Sequence, residues 1–447
     1  MALTAPMIPP KEGTLRASPP GGPVPDDCRL PGLAAALEPL SMRRRLEELF
    51  GVAVEHLAIS YVRYKPGLSC IIQYVAQGGG ERIFHGRVCR PDEFSPMAAK
   101  AYAVHRPRPG LPRPVAASSD LGLVLVAFPE DRAIPGMRHI LDTDKLKRVL
   151  HEQVPRFAGG NTWVSGSRSE VEVVSYKPER SCLVRCRLGV KNRETGELAR
   201  ETIFARAYAS RVGAAVHALL ERLQSGPDRN LARCVPGSLG HDRDRRLLFM
   251  QAVPGETVLS AAAGERRRWM FEAGRFLARL HGVAGHTAGA VEPLEQAVDV
   301  IAALRQVGLT EARALADAAA RLAHRRPVAR SSSACLHGDF HPEQLLVGPE
   351  GLRCVDFDAS SNGDPGIDVG YFLAHLRRLA RLEVWPSDED TAGSFLQGYD
   401  ETGPALPVQV TSWHRDVTFL RMALNSIKHL EQDWPATVED CLAEIGA

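Results

Sequence analysis

Hydrophobic and polar positions change their period twice along the chain. Residues 1–32, crowded with Pro and Gly, have no hydrophobic period and predict a mobile extension. From Leu33, "LAAALEPLSMRRRLEELF" predicts a first helix that stops at Gly51. Strand-like alternation then takes over. "ISYVRYKPGLSCIIQYVAQGGGERIFHGRVC", residues 59–89, reads as strand, Pro-containing turn, strand, polar hairpin and strand. "VEVVSYKPERSCLVRCRLGVKNRETGELARETIFARAY", residues 171–208, repeats that plan. Tyr64-Lys65-Pro66 corresponds to Tyr176-Lys177-Pro178, Cys70 to Cys182, and Gly86-Arg87-Val88 to Ala205-Arg206-Ala207. Further on, "LGLVLVAFPEDRAIPG" (121–136) is echoed by "RRLLFMQAVPGE" (245–256). Two copies are too few for a solenoid, so they predict two related α+β subdomains.

After Gly255 the pattern turns helical. "GERRRWMFEAGRFLARLHGV" and "LTEARALADAAARLAHRR" place apolar residues at helical spacing. "LRCVDFD" predicts a short strand, and "IDVGYFLAHLRRLARLE" opens a further run of helices. The chain thus divides into an extension (1–32), a first strand-rich unit (33–160), a second (161–254) and a helical part (255–447).

Composition narrows the function classes. Among 447 residues, 55 Lys and Arg face 53 Asp and Glu, a formal charge of +2, which offers no general attraction for nucleic acid or an anionic membrane. No apolar run reaches the ~18 residues of a membrane span. Nine cysteines without a CxxC pair suit buried thiols in a reducing compartment, and the expected location is cytoplasmic.

The chemistry concentrates in "LHGDFHPEQLLV" (336–347) and the following "VDFD". Asp339, Gln344, Asp356 and Asp358 fall within twenty residues, and a loop followed by a strand end can gather their oxygens into one pocket. Such hard donors suit Mg2+, which takes few protein ligands and leaves the rest of its shell to water and phosphate. A separate Asp beside the metal can accept the proton of an attacking hydroxyl. A metal-dependent hydrolase fails on ligand inventory, because no HxH or HExxH cluster supplies a second metal site.

"HGDFHPEQ", "VDFD" and "GDPGIDVGYFL" together resemble the catalytic loop, metal-binding motif and following helix of the aminoglycoside phosphotransferase and choline kinase-like family, relatives of the protein kinases. The resemblance is specific over 335–376 and extends back to about 165. It implies an α+β, two-lobed protein kinase-like fold: a nucleotide-binding strand-rich lobe at 161–254, a helical lobe at 255–447, and a cap at 33–160 resembling a duplicated strand-rich lobe. It implies ATP and Mg2+ as cofactors and a small-molecule hydroxyl as acceptor: a sugar, an amino alcohol or an aminoglycoside. Self-association as a homodimer is left open.

Carried over by position, Asp339 is the expected catalytic base and His337 braces its loop. Asp356 and Gln344 are expected on the metal, with Asp358 assisting, and Asp368 is expected to hold the loop backbone. His341 and Glu343 receive no role. Gln344 stands where the family usually has Asn; either amide oxygen can bind a metal. The bacterial maltokinases resemble this chain in having Gln there. The backbone from Gln251 to Val253 is expected at the adenine edge. The family's phosphate-binding Lys is replaced by Arg206, which binds phosphate through a planar fork rather than a compact ammonium. Either Arg206, oriented by Glu221, or Lys177 on the turn would supply that charge. The missing Lys also motivates an alternative, a nucleotide-binding pseudokinase or scaffold without phosphotransfer.

Overall fold

The computed structural model describes residues 20–107, 113–284, 292–328, 333–385 and 390–446. Two five-stranded antiparallel sheets occupy the first half. The first contains β1 (His56–Lys65), β2 (Ser69–Gln77), β3 (Glu81–Cys89), β4 (Val115–Ser118) and β5 (Leu123–Ala127), in the order β1-β2-β3-β5-β4. The second contains β6 (Thr162–Lys177), β7 (Ser181–Asn192), β8 (Leu198–Tyr208), β9 (Ser238–Asp242) and β10 (Leu247–Gln251), in the order β6-β7-β8-β10-β9. The same positions pair in each. Lys65 faces Ser69 as Lys177 faces Ser181, and Arg87 faces Val124 as Arg206 faces Leu248. A helix fills the same crossover in both sheets, Pro91–Val104 in the first and Val212–Ser225 in the second.

One polar device recurs with the strands. The buried carboxylate of Asp27 accepts from Tyr64 Oη at 2.9 Å and from the Gly67 backbone N at 2.7 Å. Asp131, also buried, accepts from Tyr176 Oη at 3.0 Å and from the Glu179 N at 2.6 Å. Each Asp thereby clamps the turn between the first two strands of its sheet. Residues 67 and 179 both take a left-handed backbone, φ 68° and 55°. Glycine adopts this without penalty, whereas Glu179 must be held there. Arg87 of the first sheet holds it, through Nε at 3.0 Å and a second, shorter contact from its terminal nitrogen. The signal for this device lies in "PDDCRLPG" (25–32) and "PEDRAIPG" (129–136), a repeat that strand periodicity does not pick up.

Three boundaries therefore move. Residues 20–32 do not form a mobile extension: Leu30 is buried, the Gly21 N donates to Leu430 O, and Trp434 Nε1 donates to Pro23 O. Residues 1–19 lie outside the described residues. The helix expected from Leu33 to Phe50 is two, Leu33–Ala36 and Pro39–Phe50, because Pro39 opens the second with Glu38 as its cap. The limit expected at residue 160 falls near 128. Met137, Ile140, Leu146, Val149 and Phe157 pack into the core of the second sheet with Val173 and Val184, so the helices they occupy belong to it.

The helical half begins with β11 (Glu256–Thr257) and the helix Ala263–His281. Its centre carries β12 (Ala334–Leu336), β13 (Leu345–Gly348), β14 (Gly351–Cys354) and β15 (Ser361–Gly363), as the pair β12-β15 and the sheet β11-β13-β14. Around them stand Pro293–Gln306, Ala312–His324, Gly366–Arg381, Thr391–Asp400, Val408–His429 and Trp434–Glu444. The strand expected through "LRCVDFD" ends at Cys354, and Asp356 follows in a left-handed backbone. All nine cysteines are free thiols. No helix among the described residues is long and apolar enough to cross a membrane.

Losing the Tyr176 hydroxyl removes hydrogen bonds to a buried carboxylate and to His85 Nδ1 at 3.0 Å. Tyr176→Phe is therefore expected to lower stability by about 1.5–3 kcal/mol in denaturant unfolding. An unchanged midpoint would rule out the clamp as a stabilising contact.

Candidate active site

The loop between β12 and β13 is fixed from beneath by one carboxylate. Asp368, fully buried on the helix Gly366–Arg381, accepts from the His337 N at 2.7 Å and the Gly338 N at 2.9 Å. His281 Nε2 lies 3.2 Å away. Burial alone would raise this carboxyl, but the hydrogen bond and charge of His281, with the Gly338 N–H, outweigh it and hold the group below its ordinary range. Gly338 has φ 80°, and a side chain there would run into the Ala359 carbonyl oxygen. The loop can therefore pass closely over the turn that follows Asp356.

His337 links the two sides of the site. Its Nε2 donates to the Val355 carbonyl at 3.1 Å, and its ring packs 4.7 Å from that of Phe357. Burial pushes its pKa below the usual value, against the pull of Asp368 and Asp339. A neutral imidazole with the proton on Nε2 fits both facts. The Val355 N in turn donates to Gln344 O at 3.0 Å, so the loop and the segment carrying Asp356 move as one piece.

Asp339 projects from this loop with its side chain 40% exposed. Tyr371, one helical turn beyond Asp368, donates to Asp339 Oδ1 at 2.7 Å, leaving Oδ2 toward the open side. His341 Nε2 stands 3.9 Å from Oδ2 and receives the Gln344 side-chain amide at 3.2 Å. The Gln344 oxygen is thereby turned away from the imidazole.

Across the cleft, Arg206 on β8 spans both remaining acids. One terminal nitrogen donates to Asp356 Oδ1 at 2.8 Å and the other lies 2.8 Å from Asp358 Oδ2. Tyr208 donates to the other Asp358 oxygen at 2.8 Å. Burial disfavours every charge in this group. Arg206 nevertheless stays firmly protonated, because Asp356 and then Asp358 outweigh burial. Asp356 is held below its usual range by Arg206 and Lys177 against burial. Asp358 is pushed up by burial and by Asp356 despite Arg206. Lys177 is depressed by burial, with Asp356 the strongest opposing influence and Asp339 also within its field.

Most expected residues converge, but two do not take their expected places. Glu221 does not orient Arg206: its carboxylate is exposed and lies 3.5 Å from His217 Nε2, because its turn of the Val212–Ser225 helix faces away from β8. Asp356 and Asp358 serve Arg206 instead. The Gln251 N–H already donates to Gly237 O at 2.9 Å, so a ligand edge at this crossing would meet Ala252 and Val253. Tyr371 and Tyr208 were not anticipated. The signal for Tyr371 is its place three residues after Asp368, on the same helix face.

Among the described residues no three His, Cys, Asp or Glu side chains group as metal ligands. Mg2+ needs less than that, since one or two carboxylates suffice when phosphate and water complete the shell. Two convergent carboxylates already sharing one cation fit it.

Residues 201–406 match the model of a phosphotransferase enzyme family. Solved structures similar to the chain include a choline kinase from Cryptosporidium parvum, at 12% identity and TM-score 0.49, covering 68% of this chain and 94% of that one. A macrolide 2'-phosphotransferase from Brachybacterium faecium gives 19% and 0.39, with coverages of 68% and 98%. A choline kinase from Streptococcus pneumoniae gives 14% and 0.45, with 67% and 98%. No curated protein matches the chain.

The neutral imidazoles carry a pH prediction. His337, His341 and His375 are all depressed below 6.5 by burial. The unfolded chain therefore takes up these protons first, and the stability they contribute is present above about pH 6.5 and lost as pH falls through their lower folded values. The urea midpoint is expected to fall between pH 7.5 and pH 5, above the range where carboxylates titrate. A flat profile would mean that these rings are charged in the fold.

Proposed function

We propose, from the match of residues 201–406 to the model of a phosphotransferase enzyme family together with the site geometry, that the protein transfers the γ-phosphoryl group of ATP, with Mg2+, to a hydroxyl of a small molecule. The carrying observation is that Asp339, Asp356, Lys177 and Arg206 meet in one cleft between the second sheet and the helical half, with the Asp339 loop tethered by Asp368.

The role of each residue follows from its contacts. Asp339 Oδ2 receives the proton of the attacking hydroxyl, while Tyr371 fixes the carboxylate through Oδ1. Asp356, with Gln344 and Asp358, would hold Mg2+, which when bound neutralises charge on the nucleotide phosphates. Arg206 is pre-set on the two carboxylates and would yield at least one when the metal and nucleotide enter. Lys177, depressed by burial yet facing Asp356, is the compact ammonium nearest the phosphates. The backbone of Ala252 and Val253 would meet the adenine edge. Gln344 resembles the maltokinase residue without by itself identifying a sugar acceptor.

The unit ending near residue 128 is read as a cap derived from a duplicated strand-rich lobe. The matching strand order, register and Asp clamp support this. A second reading, nucleotide binding without transfer, is favoured by the closure of Arg206 over both acids. It predicts no ATP consumption with any alcohol.

Asp339→Asn is expected to lower turnover by about 10²–10⁴-fold while leaving ATP affinity nearly unchanged. Turnover that persists in this variant would remove Asp339 from the chemistry. Lys177→Ala and Arg206→Ala are each expected to weaken ATP binding at least tenfold, measured by calorimetry with Mg2+ present. If neither does so, the phosphate assignment is wrong for both.

A further inference from the structure

The open side of Asp339 leads to a concentration of cations that the transfer of phosphate does not use. Three elements supply it. On β1, Tyr61, Arg63 and Lys65 alternate with the core residues Val62 and Tyr64, so they share the outward face of the first sheet. On the helix Val408–His429, Arg421 and Lys428 are two turns apart and share one face. Arg180 stands on the clamped turn between β6 and β7, next to Glu179.

Direct contacts bring these elements together. His429 Nδ1 donates to the Val62 carbonyl at 2.7 Å, and its ring lies 5.7 Å from that of Tyr61. At the other end of the face, the Arg421 guanidinium sits 5.5 Å over the ring of Tyr371, whose hydroxyl holds Asp339. The helix thus runs from the catalytic carboxylate to the first sheet with cations along it. Lys428 is lowered to about 8, first by burial and then by Arg180, Arg63, Lys65 and Arg421. None of these five cations forms an ion pair with a carboxylate among the described residues, although the chain carries nearly as many acids as bases.

We propose that the acceptor alcohol carries an oxyanion of phosphate, sulfate or carboxylate type, which seats among Arg63, Lys65, Arg180, Arg421 and Lys428 while its hydroxyl reaches Asp339. This rests on the phosphotransferase reading and narrows its substrate class. A surface carrying one sign of charge concentrates the opposite ion, and guanidinium groups match the geometry of oxyanions. Amino alcohols and aminoglycosides, being cationic, are repelled from the same place. The nucleotide phosphates account for Arg180 at most, which shares the clamped turn with Lys177; Arg63 and Lys65 on β1 and Arg421 and Lys428 on the Val408–His429 helix lie outside the second sheet. On this proposal the cap supplies Arg63 and Lys65 to the acceptor site.

The test titrates inorganic sulfate into the full chain saturated with Mg2+ and a non-hydrolysable ATP analogue, read by calorimetry. Saturable binding is expected, weakened at least tenfold in Lys65→Ala and in Lys428→Ala but unchanged in Lys191→Ala, which alters an exposed lysine of β7. Loss of sulfate binding when the analogue is present would show that the cations serve the nucleotide and would overturn the proposal, as would equal affinity in wild type and both variants. In parallel, Mg-ATP turnover is compared for a polyol and its phosphate monoester. The monoester is expected to have the larger kcat/KM by at least a hundredfold; preference for the polyol overturns the proposal. If neither is turned over but the sulfate site behaves as stated, the anion site stands and the phosphotransfer reading is what has failed.

Discussion

Two carboxylates sharing one guanidinium organise the cleft. Asp356 lies close enough to Asp358 to raise its pKa, and both are partly withdrawn from water, so their negative charges call for a cation between them. Arg206, 150 residues earlier in the chain, reaches across from the second sheet with one nitrogen for each. A buried ion pair of this kind adds little net stability, because desolvation offsets its attraction, but removing one partner leaves an uncompensated charge that costs about 3–5 kcal/mol. Its effect is positional: the strand-rich and helical halves are held at the separation the fork dictates. The asymmetry between the acids also follows from it. Asp356 is the more firmly ionised, while Asp358 is in part committed to Tyr208.

The loop beneath depends on a different arrangement of polar groups. A turn that approaches the Asp356 segment closely leaves backbone N–H groups pointing into protein, where an unpaired donor is strongly destabilising. Asp368 satisfies two of them at once, and Gln344 and His337 tie the loop to Val355. Asp27 and Asp131 solve the same problem at the two sheet turns. In all three places one buried carboxylate stabilises a turn that has a residue in the left-handed backbone region, so the geometry needs glycine or an external hold such as Arg87 on Glu179.

Much of the chemistry was legible because it is local. His337, Asp339, Gln344, Asp356, Asp358 and Asp368 fall in 32 residues, and their order alone restricts how they can meet. What was not legible depends on rotation and on distance along the chain. Glu221 lies in the right helix but on the wrong turn of it, a matter of phase that composition does not reveal. Tyr371 was hidden within an apolar helix pattern, although its spacing from Asp368 encodes its position. The limit near residue 128 was missed because periodicity marks strands and helices but not the sheet on which a helix packs. The ordering of residues 20–32 escaped for a related reason: a Pro- and Gly-rich stretch lacks a core of its own yet can be held by contacts made elsewhere, here Leu430 and Trp434.

A guanidinium at position 206 has a physical reading in this setting. An ammonium is a point charge that must leave one partner to serve another, whereas a guanidinium presents separate nitrogens in a fixed plane. Arg206 could give up Asp356 while keeping Asp358, so that a second cation taking its place on Asp356 would leave no acid bare. Lys177, at the end of β6 beside the turn clamped by Asp131, also bears on Asp356, which is the strongest influence opposing the effect of burial on its ammonium. The positive charge that bears on Asp356 is thus divided between two strands, Arg206 on β8 and Lys177 on β6, and together they hold that carboxylate ionised against burial.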